Sequence, residues 1–258
     1  MPKLKQWPAV AFALCLVCAQ DMNAASFNVN PIGFDLSVER ASGVLQIKNT
    51  GNEPVRIQVG AVDWSSDGRQ EVLADTDALL LNPPIFALEP GQIQYLRFGV
   101  RQPVSSATEK SYRLLIDEVP PSGPQAPGLK TLLRVSIPVF IAPQKKQEKI
   151  SWQLNRGNNG LLLVAANDGN VHAKIIRVQI SNGDGKDGLQ IGIPAYVLPG
   201  QHKQWSLANG KIHAGPVRLT FADGELRYLY VGRKEVVRRV YFAVRAPNWD
   251  TIMPRFTR

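Results

Sequence analysis

The chain reads as all-β, built as two β-sandwich domains in series. Short segments that alternate apolar and polar residues recur along its length, among them "GVLQIKN", "VRIQVGAVDW", "QIQYLRFGV" and "SYRLLIDEV". Turn-forming clusters such as "NTGNEP", "SSDGRQ" and "LEPGQ" separate them. Strands of this length at this spacing predict a sandwich. The pattern pauses at the charged "APQKKQEK" and then resumes, and 258 residues suit two domains of ordinary size.

Taken in order, the elements begin with a leader. In "MPKLKQWPAVAFALCLVCAQDMNAA", Lys3 and Lys5 precede an apolar run from Ala9 to Ala19, followed by small residues. That is the build of a secretory signal peptide, and the run is too short to span a bilayer. Cleavage is expected after Ala19 or near Ala25. Leu14 and Val17 precede Cys15 and Cys18, where lipid attachment wants a small residue. No stable membrane insertion is expected. Both cysteines lie in the leader, so the exported chain is expected to hold no disulfide, thiolate metal site or cysteine nucleophile.

The division that follows is 1–25 signal peptide, 26–143 first domain, 144–248 second domain and 249–258 tail. Beyond the leader, only "DTDALLL" suggests helix, as one short turn. The second domain continues with "GLLLVAAND", "VHAKIIRVQI", "AYVLPGQHKQWSL", "VRLTFADGELRYLYV" and "VVRRVYFAVRA". Its "NDGN" separates two opening strands much as "NTGNEP" does in the first domain. This likeness between halves is loose and falls short of a repeat.

The last strand of the first domain is unusual. In "LKTLLRVSIPVFIAP", the odd positions Leu129, Thr131, Leu133, Val135, Ile137, Val139 and Ile141 form one apolar row. Pro138 sits on the other face. Proline cannot donate a ladder hydrogen bond, so the segment reads as a long edge strand. A bare apolar edge invites pairing with another chain.

The residues offer no catalytic or metal site and no cofactor. His172, His202 and His213 stand apart, none beside a nucleophile, and read as surface or satisfied histidines. No H-x-x-x-H pair, G-x-S-x-G elbow or Gly-rich phosphate loop occurs. "NGDGKDG" lacks the ligand cadence of a calcium loop and reads as a hairpin turn. An enzyme is not expected. Trp64 and Trp205 lie on strand patterns and read as packing. The net charge of +9 comes from scattered basic residues without a stacking platform, so nucleic acid is not an expected partner.

Several segments, in order, resemble the periplasmic chaperones of the chaperone–usher pilus pathway, in particular the archaic branch. They are "FNVNPIGFDLS", "IKNTGNEPVRIQV", "NPPIFALEPGQIQYLRF", "YRLLIDEVPP", "RVSIPVFIAP", "NDGNVHAKI" and "YVLPGQHKQW". The resemblance implies two immunoglobulin-like β-sandwich domains in a boomerang arrangement and a periplasmic location. It implies pilus or fimbrial subunits as partners, held by donor-strand complementation and delivered to an outer-membrane usher. Leu129, Thr131, Leu133, Val135 and Ile137 would then insert into the subunit's groove while the backbone supplies ladder bonds. The preceding "PPSGPQAPG" would be a lead-in that orders on capture.

The chain departs from the conventional branch. There, an arginine on the first strand and a lysine on the donor strand grip the subunit's terminal carboxylate; by position these fall at Gly33 and Pro138. The carboxylate anchor is instead expected at Arg113 and Arg134, with Arg97 in reserve, because guanidinium pairs bidentately with carboxylate. Glu118 matches a family carboxylate implicated in domain orientation, whose basic partner falls at Ala142. A self-capping homodimer would hide the donor edge in the free protein. Two other readings are a two-domain surface protein that binds a glycan or protein ligand and a pilin subunit. The first predicts a covered final strand in domain one; the second predicts one domain with an N-terminal donor.

Overall fold

A computed structural model describes residues 27–67, 70–102, 106–120, 131–157, 160–182, 188–191, 195–207, 212, 215–221 and 226–231. Strands β1 (Phe27–Asn30), β3 (Ser42–Asn49), β8 (Ile93–Val100) and β6 (Leu79–Asn82) make one sheet of the first sandwich, in the order β1-β3-β8-β6. The facing sheet runs β2 (Phe34–Ser37), β10 (Arg134–Ala142), β9 (Lys110–Val119), β4 (Val55–Ser66) and β5 (Glu71–Asp75), with β7 (Ile85–Leu88) also paired to β4.

Alternation in the sequence becomes two faces in the sheet. Along β3, Leu45 and Ile47 are fully buried while Gln46 and Lys48 turn outward, the period of two that a half-buried strand requires. Ile57, Leu96, Leu114 and Ile116 join them in the first core. "DTDALLL" departs from the helical expectation. Ala78 N–H bonds the Thr76 hydroxyl, and the leucines continue as β6 along β8. Pairing with a neighbouring strand overrides a weak local preference there.

The opening segment changes sheets. β1 lies antiparallel to β3; the chain then crosses at Pro31–Gly33, and β2 lies parallel to β10. This crossover determines how much of β10 is covered.

The second sandwich contains β11 (Ile150–Gly157), β12 (Gly160–Asn167) and β17 (His202–Leu207) in one sheet. Facing it are β15 (Gly188–Ile191), β14 (Val178–Asn182), β18 (Gly215–Phe221) and β19 (Leu226–Val231), in that order. β13 (Ala173–Ile175) pairs with β16 (Ala195–Val197). The "VHAKIIRVQI" segment is thus two strands, because the chain leaves the β13 pair at Ile176–Arg177 to enter another sheet. Leu154, Leu163, Ile180 and Leu219 fill the second core, with Trp152 stacked on Trp205 at 6.2 Å.

Residues 1–26 and 232–258, which hold the expected signal peptide, tail and "VVRRVYFAVRA", lie outside the described residues, as do residues 121–130.

Candidate functional site

β10 is covered on one side along its whole length and on the other along only half. β9 pairs with Arg134 to Ile141, whereas β2 pairs only with Val139 to Ala142. From Arg134 to Pro138, no strand among the described residues closes the outer side. Glu118 N–H bonds Leu133 O, and antiparallel pairing alternates, so the odd residues of β10 bond toward β9. The backbone groups of Arg134 and Ser136 consequently face the open side. Pro138 lacks its N–H on that same side, where no ladder bond is lost.

The apolar row divides along this strand. Ile137, Val139 and Ile141 are buried in the first core. Leu133 and Val135 are half-buried at its margin, and Thr131 is exposed. Leu129 lies outside the described residues. Ile137 therefore has almost no surface left to offer a partner. The accessible part of the row is the stretch before it.

The even residues of β10 share the outer face of the sheet with the odd residues of β9. Phe140 projects from this face toward the second domain. It packs with Trp64, Tyr196 and Leu198 in a third buried cluster that joins the two sandwiches. The His172 ring stacks on Phe140 at 3.6 Å between centroids. Glu109, its side chain only 2% exposed, receives the His172 backbone N–H and lies 3.0 Å from His172 Nδ1. Asp35 stands 3.6 Å from the other ring nitrogen. Asn170 extends the joint: its side-chain amide donates to Ala107 O and Lys145 O, and its carbonyl accepts Glu109 N–H. Gly169 is required where this loop meets the linker, since a methyl group there would stand 2.3 Å from Gln147 O.

Glu109 and Asp35 thus both reach the second domain, at His172. The Glu118 side chain lies 3.4 Å from Leu133 N, just ahead of β10. Ala142, where the family's basic partner would fall, is buried. Gly33 and Pro138 lie against each other: a methyl group on Gly33 would stand 3.5 Å from Pro138 Cγ.

The three arginines go to different places. Arg113 on β9 reaches across β4, with its guanidinium carbon 3.6 Å from the centre of the Trp64 ring. Its Nη2 donates to Glu71 Oε1 at 2.8 Å, and its side chain is 12% exposed. Among the described residues, the buried Arg113 Nε and Trp64 Nε1 have no acceptor. Arg134 makes a two-pronged pair with Asp117, with Nη2 to Oδ2 at 2.9 Å. That hydrogen bond and the Asp117 charge hold the Arg134 pKa above its ordinary value. Arg97 is exposed on β8, in the other sheet. Arg113 and Arg134 share a face, but Arg113 is level with Pro138, four residues along the strand. That is a backbone separation of about 13 Å. Their guanidinium groups are directed to different carboxylates and do not converge.

Sequence reasoning missed Glu71, Glu109 and the part Phe140 plays. Glu71 and Glu109 lie 42 and 63 residues from their partners. Among the described residues, no group of three His, Cys, Asp or Glu side chains is placed to hold a metal ion.

Comparison with known proteins fits this arrangement. Residues 26–147 match the family model for the pili and flagellar-assembly chaperone, PapD N-terminal domain. Residues 200–258 match a second model, the D-apionate lactonase N-terminal domain. That match is confined to the end of the chain, and a shared stretch of β-structure does not by itself carry an activity. The fimbrial chaperone YhcA of Escherichia coli (strain K12) is 25% identical over 200 residues, covering 77% of this chain and 84% of YhcA. Solved structures with the same fold include the CsuC–CsuE chaperone–tip adhesion subunit complex from the archaic Csu pili of Acinetobacter baumannii. The match has a TM-score of 0.60 at 18% identity and covers 82% of this chain and all of that one. The Salmonella enterica SafA pilin–SafB chaperone complex matches at TM-score 0.55 and 18% identity, covering 81% and 97%. The YadV chaperone matches at 0.57 and 15%, covering 84% and 100%.

Proposed function

We propose that this chain, whose first domain matches the pilus-assembly chaperone model, captures pilus subunits in the periplasm and passes them to an outer-membrane usher. The observation that carries this reading is the half-open β10. Its Arg134–Pro138 stretch offers a free backbone edge, and Leu133 and Val135 stand half-buried beside it. A subunit lacking one strand would pair with that edge and take the apolar side chains that precede Ile137. Thr131 extends the row toward the subunit.

Full burial of an exposed aliphatic side chain is worth about 1.5–3 kcal/mol, so Leu133 and Val135, already half-buried, together contribute about 2–3 kcal/mol before ordering costs. Arg113 supplies an electrostatic anchor on the adjoining face for the subunit's terminal carboxylate. Its ring-stacked guanidinium has Nε without an acceptor, so a carboxylate could engage two donors side by side. The function is binding and delivery, with no chemical step assigned to the chain.

The test is to co-express the exported chain with pilus subunits and recover complexes from periplasmic extract. Recovery of a small β-rich subunit, lost on altering Leu133 and Val135, supports the reading. A chain that is recovered alone from cells making every subunit of its own pilus system would overturn it.

A further inference from the structure

Arg113 is the strongest candidate anchor on the interdomain face, yet it already holds a carboxylate. Glu71 opens β5, a five-residue edge strand whose side chains are all exposed. Among the described residues, β5 pairs with β4 alone, through Val62 to Ser66. The Glu71 side chain is 48% exposed, while that of Arg113 is 12% exposed, so one partner is fixed and the other is free to leave. Arg113 is immobilised by stacking on Trp64 and by its central position on β9. Glu71 lies outside all three apolar clusters.

The pairing is also incomplete. One Glu71 oxygen meets one Arg113 nitrogen, while Arg113 Nε and Trp64 Nε1, both buried, have no acceptor among the described residues. A carboxylate has two oxygens and about four acceptor sites, and its best fit to guanidinium is two parallel bonds. Glu71 uses a fraction of what the site offers.

We propose that Glu71 is a displaceable internal carboxylate, occupying Arg113 in the free protein and yielding it to the terminal carboxylate of a bound chain. This rests on Arg113 being the anchor, as proposed above. The stand-in neutralises a cation beside a buried aromatic cluster while the site is empty, where an unpaired charge would be costly. It also sets a threshold. A ligand with affinity only for Arg113 must compete with Glu71, whereas one that also pairs along β10 displaces it. An internal competitor scales apparent affinity down to the fraction of sites it leaves free. A half-exposed ion pair of this kind makes that penalty about threefold to tenfold.

The experiment uses the exported chain and two versions of a peptide of alternating valine and threonine, one with a free C-terminal carboxylate and one amidated. Binding is followed by fluorescence anisotropy for the unaltered protein, Glu71→Ala and Arg113→Gln. Glu71→Ala is expected to bind the carboxylate peptide about threefold to tenfold more tightly, with the amidated peptide unchanged. Arg113→Gln is expected to bind both peptides alike. With Glu71 labelled, its carboxyl carbon resonance should move toward the solvent-exposed value only when the carboxylate peptide is added. Equal carboxylate preference in the unaltered protein and Glu71→Ala would overturn the role of Glu71 and leave the Arg113 anchor standing. No carboxylate preference in any variant, or no binding of either peptide, would overturn both.

Discussion

Asn49 and Asn167 satisfy matching corners of the two sandwiches in the same way. Asn49 Nδ2 donates to Glu53 O and Leu88 O, and Asn167 Nδ2 to Val171 O and Val197 O, all at 2.8–2.9 Å. Each side-chain oxygen accepts the N–H of the glycine two residues on, Gly51 and Gly169. Each backbone carbonyl accepts the N–H of a left-handed glycine, Gly91 and Gly200. Both asparagines are buried, so these bonds replace water that the loop carbonyls have lost.

That arrangement makes Asn49→Ala a severe change. The buried Leu88 carbonyl loses its donor, at about 1–3 kcal/mol, and the partly buried Glu53 carbonyl loses one too, so the first domain should melt several degrees lower. Thermal unfolding followed by circular dichroism measures it, with Asn28→Ala, an exposed position, as a control expected to shift by little. Equal melting of the two variants would contradict the account.

The loose likeness of "NTGNEP" and "NDGN" was legible because it depends on residues within five positions. The alternating strands were equally legible, as was the edge character of β10, since Pro138 states it locally. The partial cover was not. The parallel pairing of β2 with Val139 to Ala142 joins segments about a hundred residues apart, and no spacing announces it. The sequence ranked Arg113 and Arg134 above Arg97 but gave no sign that the first two are held apart. Their separation follows from which sheet and face each strand occupies. Phe140 reads as one more strand residue until the second domain is placed against it.

Replacing Leu133 and Val135 together with Asp should abolish subunit capture. Both are half-buried at the margin of the first core, so the free protein should also lose about 1–3 kcal/mol of stability, which unfolding curves will show. Capture is read by periplasmic pull-down at a temperature where the variant is folded. Subunit recovery at the unaltered level would remove β10 as the donor.

The three arginines should separate cleanly. Arg113→Ala is expected to reduce subunit recovery at least tenfold while the free protein melts within a few degrees of normal. Arg134→Ala disrupts an exposed pair with Asp117, and such pairs contribute about 0–1 kcal/mol, so recovery should fall no more than a few-fold. Arg97→Ala, in the opposite sheet, should have no effect. Unfolding of Arg113→Ala would make the residue structural.

His172 should couple the two domains. Removing its ring by His172→Ala leaves the buried Glu109 carboxylate with the backbone N–H of residue 172 and takes away the stack on Phe140. A buried carboxylate deprived of a partner is destabilising by about 1–3 kcal/mol or more. Hydrogen exchange should therefore quicken at Glu109 and Asn170, whose backbones bond across the joint, while amides in the β3 and β12 cores change little. Uniform acceleration across the first domain would indicate general unfolding instead.

The free protein should hide its donor edge by pairing with a second copy. Among the described residues, no strand pairs with the outer edge of Arg134 to Pro138, with Leu132 exposed and Leu133 and Val135 half-buried beside it. An open edge flanked by apolar side chains favours association. Two β10 edges meeting antiparallel would form a closed, isologous contact that uses no further sequence. Arg134, near each end of such a contact, would be drawn close to the partner copy's edge, which limits how tightly it forms. The dimer is thus expected to be weak and concentration-dependent. Light scattering across a dilution series should show dimers dissolving into monomers, and adding subunit should do the same at fixed concentration. Leu133→Asp with Val135→Asp should be monomeric throughout. A monomer at every concentration, with Arg134 and Ser136 amides exchanging rapidly, would show that this half-strand is tolerated bare.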